Sequence, residues 1–159
     1  MYRNISPEEY KKYLNLSPQY RVDGLLISGT WNIEQEAEVL NKSLQGLETS
    51  YDLIKFESND FLNNGYELRI NNKTIWFFVV YGSALTSEYT HLACILGSKK
   101  NILIGSCGGL KKGANSGDIL LPTKSSSDGS SCNMYNRNNS KYQLSDEKLR
   151  TILKGQLVS

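Results

Sequence analysis

Histidine is nearly missing from this sequence, and so is any pattern among its cysteines. His91 stands alone, and Cys94, Cys107 and Cys132 are odd in number, unevenly spaced and without a CxxC pair. A zinc site lacks its ligand set and a disulfide framework lacks its pairs, so no metal is expected. Long apolar runs are also missing: the longest, residues 75–81 (IWFFVVY), is far short of a bilayer span, and the N-terminal MYRNISPEEYKKYL is charged, with no apolar h-region. Charge of one sign is not in excess either. Eighteen basic residues against sixteen acidic ones, scattered without a basic block, argue against nucleic acid and against an anionic membrane surface as partners. Small anionic molecules stay open. Together these absences predict a reduced, cytoplasmic protein.

With 159 residues, 39% of them apolar, the chain is long enough for one domain with its own core, and residues 1–159 are read as a single domain. Ser6, Pro7, Glu8 and Glu9 form a helix start, with Tyr10, Tyr13 and Leu14 following at helical spacing. Residues 22–28 (VDGLLIS) are a short, almost continuous apolar run ended by Gly29, the pattern of a strand buried on both faces. From Ile33 the period changes. Ile33, Ala37, Leu40 and Leu44 outline a helix with Asn32 as its N-cap, which makes Thr30 and Trp31 a strand-to-helix corner.

Residues 66–70 and 74–81 bracket Asn71, Asn72 and Lys73 as a hairpin. Leu85, Tyr89, Leu92 and Leu96 then mark a second helix closed by Gly97. Residues 101–104 (NILI) and 119–121 (ILL) are two further short strands separated by a turn region, 125–140 is loop by composition, and a last amphipathic helix starts from Ser145 as its cap and carries Leu149, Ile152, Leu153 and Leu157. The alternation predicts an α/β fold with a mixed central sheet flanked by helices. In such sheets ligands sit beyond the carboxyl ends of the strands. Three strands end there in small residues: Ser28-Gly29-Thr30, Gly82-Ser83-Ala84 and Gly105-Ser106-Cys107-Gly108-Gly109. Corners without Cβ bulk let backbone N–H groups approach an anion or a sugar.

The sharpest motif is residues 104–110 (IGSCGGL), followed by 117–123 (GDILLPT) and 128–131 (DGSS). In this order and spacing they resemble the nucleoside phosphorylase superfamily of purine nucleoside and uridine phosphorylases and related nucleosidases, whose pattern is G-[ST]-[CA]-G-[GA]-L, a turn, G-D-[IV]-[VL], then [DE]-G-[TS]-S. The family's second corner, of G-x-G-x-P-S type, corresponds to Gly82-Ser83-Ala84-Leu85-Thr86-Ser87, and the likeness covers residues 22–131. It implies a nucleoside phosphorylase-like fold that cleaves the N-glycosidic bond of a purine nucleoside or related riboside, with water or phosphate as nucleophile, phosphate being then a co-substrate and no other cofactor being needed. It also implies a homo-oligomer.

Carried over by position, Gly29 approaches the nucleophile, Ser83 and Ser106 bind phosphate or the ribosyl region, and Cys107 with Gly108 lines the base pocket; no residue is assigned as catalytic. Cys107 is expected as a small buried residue at a tight turn rather than as a covalent participant. Tyr10, Tyr13 and Tyr20 are expected to pack.

Departures accompany the matches. Ile33 and Leu103 stand where family phosphorylases carry arginines, and a third arginine position falls near Phe61. A phosphate dianion without guanidinium loses its strongest bidentate contacts. Hydrolytic members use a Glu near the first corner instead; Glu34 and Glu36 lie close, although both also suit a helix's first turn. The family's Met-Glu pair and late Asp do not occur before Ser159, and Met134 is not followed by Glu. The expectation is an N-terminal portion of the fold, either an enzyme fragment or a catalytically inactive shortened homologue kept for ligand binding or assembly.

Overall fold

The computed structural model describes residues 5–57, 60–109, 112–126 and 142–158. It contains two compact units, Met1–Ser106 and Cys107–Ser159. No helix among the described residues is long and apolar enough to cross a membrane.

The first unit opens with α1 (Pro7–Tyr13), whose capping box is complete: Ser6 Oγ accepts the Glu9 N–H at 3.2 Å and the Glu9 carboxylate accepts the Ser6 N–H at 2.7 Å. Then come β1 (Gly24–Ser28), α2 (Ile33–Gln45), β2 (Tyr51–Lys55), β3 (Gly65–Ile70), β4 (Lys73–Val79), α3 (Ser83–Ile95) and β5 (Asn101–Ile104). The strands form one mixed sheet in the order β2-β3-β4-β1-β5, in which β1 runs parallel to both β4 and β5 while β3 is antiparallel to β4 and to β2. A strand with parallel partners on both sides is apolar on both faces, which is why 22–28 reads as an almost continuous run, although the strand itself starts only at Gly24, after Val22 and Asp23.

Side-chain alternation sorts the helices. Leu25, Ile27, Trp76, Phe78 and Val80 face Tyr10 and Leu14 of the α1 segment and Tyr89, Leu92, Ala93 and Leu96 of the α3 segment. Phe77 and Val79 face Ala37 of α2, with Leu26, Ile33 and Leu40 against them. The result is a sheet with α2 on one face and α1 and α3 on the other.

The hairpin turns on two residues, not three. Asn71 and Asn72 both take positive φ (50° and 58°), which asparagine tolerates better than other non-glycine residues, and Lys73 joins β4 opposite Ile70. α3 ends as expected at Gly97, φ 113°, with its N–H on the Cys94 carbonyl (3.1 Å) and the Ser98 N–H on that of Ala93 (2.8 Å). Asp23 pins the start of β1 to β4: its carboxylate accepts the Thr74 N–H at 3.1 Å, a bond that holds its pKa low, and Lys73 and Arg21 lie at 3.6 and 3.8 Å. Tyr13 departs from expectation; it is exposed, whereas Tyr10 is buried.

Under the α1 face lies a buried polar chain. Trp76 Nε1–H donates to the Tyr20 hydroxyl at 2.8 Å, and Tyr20 donates to the Glu67 carboxylate, which also receives Arg69 Nε at 2.5 Å. Glu67 and Trp76 are both buried. Burial, and then the hydrogen bond to Glu67, raise the Tyr20 pKa far above its ordinary value. Tyr20→Phe would leave the indole N–H without an acceptor and the carboxylate short of one donor, at a cost of about 2 kcal/mol. The sign of the pH effect follows from linkage. The unfolded tyrosine ionises near pH 10 while the folded one keeps its proton, so Tyr20 contributes fully below about pH 10 and its contribution falls as pH rises beyond it. Urea midpoints between pH 8 and 11 are expected to fall more steeply for the native chain than for Tyr20→Phe; parallel curves would refute this.

The second unit differs more from expectation. Residues 119–121 form no strand, and Ile119 and Leu120 are exposed. Instead β6 (Lys124–Ser126) pairs antiparallel with β7 (Tyr142–Leu144), so Ser125 and Ser126, expected in a loop, are strand. The final helix, α4 (Glu147–Val158), is capped by Asp146, whose Oδ1 accepts the Leu149 N–H at 2.7 Å. Ser145 is engaged elsewhere: its Oγ donates to the Thr123 carbonyl at 3.2 Å and accepts from Arg150 Nη1 at 3.0 Å. Asp128 with the rest of DGSS, Cys132 and Met134 lie outside the described residues.

Candidate functional site

Because β4, β1 and β5 are adjacent and parallel, the corners that follow them emerge at one edge of the sheet. Gly29 N–H donates to the Ile104 carbonyl at 2.8 Å, and Val80 N–H to that of Ser28 at 3.0 Å. A Cβ on Gly29 would lie 3.5 Å from the Ile104 oxygen and 3.9 Å from the Gly105 Cα, so the β1 and β5 corners touch. At Gly82 and Gly105 a Cβ would meet nothing within 4 Å. Gly29, Gly82 and Gly105 thus sit at the same sheet edge, as their sequence pattern predicts.

The chain leaves β1 for α2 on one face and β4 for α3 on the other, the change of direction at which open α/β sheets generally hold their ligands in a crevice. Ser83 opens α3 and is exposed; the cap position is Gly82 (φ 96°), so no side chain caps this helix. Thr86 Oγ1 and Ser87 Oγ fold back onto the carbonyls of Gly82 and Ser83 at 2.9 and 2.7 Å. On the β1 side, Thr30 Oγ1 is shielded from solvent and has no hydrogen-bond partner among the described residues.

The two glutamates that the sequence leaves equivalent part company. Glu34 turns outward to Lys55 Nζ at 3.1 Å, and that ammonium holds its carboxyl below the usual range. Glu36, half-buried, accepts from Ser28 Oγ at 2.7 Å, and Ser28 is itself buried at the end of β1. The carboxylate is therefore fixed beside the first corner by a hydroxyl of that corner.

No guanidinium among the described residues of the first unit reaches this edge. Arg21 precedes β1 beside Asp23, and Arg69 lies opposite Thr74 at the start of β4, both at the other end of the strands. A depression of about 440 Å³ at that other end, lined by Tyr51, Asp52, Arg69, Asn71 and Lys73 among others, contains none of the corner residues. Among the described residues no group of three or more His, Cys, Asp or Glu is placed to hold a metal ion.

Ser106 ends the first unit and is exposed; Cys107 and Gly108 begin the second. Cys107 is an exposed free thiol rather than the buried residue expected of a tight turn. Sequence reasoning missed Trp31 and Tyr81, one from each of these two corners, whose rings stack on each other with centroids 3.9 Å apart. Their signal was position alone: Trp31 directly follows Thr30, and Tyr81 directly precedes Gly82. Compared with family models, with curated proteins and with solved structures, the chain matches none.

Proposed function

We propose that the chain binds a purine nucleoside or related riboside in the crevice at the carboxyl ends of β4, β1 and β5, and that the chemistry is cleavage of the N-glycosidic bond by water. The observation that carries this reading is the convergence of three small-residue corners on one edge, with the contact of Gly29 and Gly105 at its centre. Open backbone at such an edge accepts sugar hydroxyls and oxyanions at short range. The ordered motifs IGSCGGL and GDILLPT add the resemblance to nucleoside phosphorylases. Gly29, Ser83 and Ser106 are the binding residues of the first unit in this reading, with Cys107 and Gly108 following in the chain.

Water is favoured over phosphate because the corners, residues 28–32, 80–85 and 104–106, contain no arginine or lysine, and Lys55, at the same edge, is engaged by Glu34. Glu36 supplies the complementary element, a carboxylate beside the first corner able to take a proton from an attacking water. Electrostatic stabilisation of an oxocarbenium-like sugar is within reach of the same group.

A second reading, binding without turnover, is favoured by one observation: Glu36 is the single carboxylate hydrogen-bonded to a corner residue among the described residues, so no second acid is placed for the departing base. Calorimetric titration with inosine, adenosine and uridine, with and without phosphate, tests the binding step, and chromatography of the free base tests turnover. Purine nucleosides are expected to bind with an affinity that phosphate does not raise. Failure of every riboside to bind would end both readings.

A further inference from the structure

Two large aromatic side chains lie in the open where the crevice begins. Trp31 is 78% exposed and Tyr81 59% exposed, although the core nearby encloses Trp76, Phe78 and Tyr89 completely or almost so. Trp31 comes from the corner that leads into α2 and Tyr81 from the corner that leads into α3, so the pair spans the gap between connections that run to opposite faces of the sheet. Their centroids are 3.9 Å apart and their planes 22° from parallel. Each ring offers the other an apolar face and leaves its outer face to water. A planar ring inserted between them would keep both inner faces covered and have both of its own faces covered, once the centroids part from 3.9 Å to roughly twice that distance.

Three details make the pair more than two stranded aromatics. Thr30, next to Trp31, keeps an unpartnered, solvent-shielded hydroxyl at the same corner. Tyr81 is followed by Gly82 at φ 96°, with open space where a Cβ would be. Finally, the corners hold no charged side chain that would select a ligand by charge alone. Shape and π-surface are then the available means of recognition.

We propose that Trp31 and Tyr81 form an aromatic clamp that takes the planar ring of the ligand between them, exchanging one ring-ring contact for two, and that this clamp selects bicyclic purine rings over monocyclic pyrimidines by their larger stacking area. The proposal rests on the reading of the crevice as a nucleoside site and names the residues that discriminate the base.

Intrinsic fluorescence of the whole chain tests it, because the two tryptophans differ so sharply: Trp31 is exposed and Trp76 is fully buried and hydrogen-bonded to Tyr20. Inosine is expected to alter the Trp31 emission and uridine to bind more weakly. Ribose is expected to leave the emission unchanged. The change should vanish in Trp31→Phe, which nonetheless keeps a ring and so retains most of the inosine affinity. Trp31→Ala and Tyr81→Ala should each weaken inosine about 5- to 150-fold, the range that corresponds to one base-aromatic stack, while ribose affinity measured by calorimetry stays level. Retention of affinity by Trp31→Phe separates loss of the ring from loss of the fold. If inosine binds and neither alanine variant weakens it, the clamp is wrong and the nucleoside reading survives. If neither inosine nor ribose binds the native chain, both fall together.

Discussion

Glu36→Gln is expected to lower the phosphate-independent release of free base by ~10²–10⁴, the usual range for loss of a general base. Glutamine keeps the carbonyl oxygen that Ser28 Oγ reaches at 2.7 Å in the native chain, so the packing of α2 against β1 has no reason to change. What it loses is the ability to accept a proton from water. The rate should therefore fall while nucleoside affinity and the urea midpoint hold. Ser28→Ala is the companion variant: it leaves the carboxylate but frees its orientation, so a smaller fall is expected. Glu34→Gln, which breaks only the contact with Lys55, should leave the rate alone. Equal rates in Glu36→Gln and the native chain would remove Glu36 from the chemistry, and a loss of affinity matching the loss of rate would make it a binding group instead. Absence of base release from the native chain would favour the second reading, binding without turnover.

The division of labour between Glu34 and Glu36 shows where sequence reasoning stops. At about 100° per residue, both lie well off the buried stripe of Ile33, Ala37, Leu40 and Leu44, at roughly 90° and 70° from its centre, so periodicity barely distinguishes them. The choice is made by groups distant in sequence or topology: Lys55 on β2 draws one outward, and the buried hydroxyl of Ser28 draws the other in. The pairing of Trp31 with Tyr81 has the same character. It follows from the parallel register in which Ser28 lies opposite Val79, and no local pattern encodes that register.

Elements with strong punctuation were legible. The Ser6-Pro7 start, the Asn32 cap, the Asn-Asn turn and Gly97 each fix a boundary through a local bond or a positive φ. β2 was not, because as an edge strand it buries little, and residues such as Asp52 and Lys55 break any apolar run. The tripeptide 119–121 misled in the opposite direction: an apolar run marks a strand only if a neighbouring strand or core takes up its faces, and Ile119 and Leu120 are exposed, with no strand paired to them among the described residues. β6 and β7 are short and exposed throughout, so hydrophobic patterning gave no sign of them.

Gly65→Ala is expected to cost about 3 kcal/mol or more, at the upper end of what overpacking a core does, for a reason equally invisible in the sequence. Gly65 opens β3 directly opposite Phe78 on β4, and the phenyl ring occupies the space above it. A Cβ there would lie 2.3 Å from Phe78 Cε1, 2.5 Å from Cδ1 and 2.9 Å from Cζ. The ring cannot easily give way. It is fully buried, stacked on Tyr89 at 4.1 Å and on Phe56 at 6.0 Å, and edge-on to Trp76 at 5.5 Å. Nor is the backbone the obstacle, since Gly65 is not among the glycines at positive φ. Gly24→Ala supplies the contrast within the same sheet: its nearest neighbours would be 3.5 Å or farther, ordinary contact, so a change of well under 1 kcal/mol is expected. Urea unfolding of the two variants measures the difference. Phe78→Leu should then partly relieve Gly65→Ala, so that the double variant is more stable than the sum of the single effects predicts, the signature of two groups competing for one volume. Strict additivity, or a Gly65→Ala chain as stable as the native one, would mean that β3 shifts to admit the methyl and that the aromatic cluster is not the rigid wall its contacts describe.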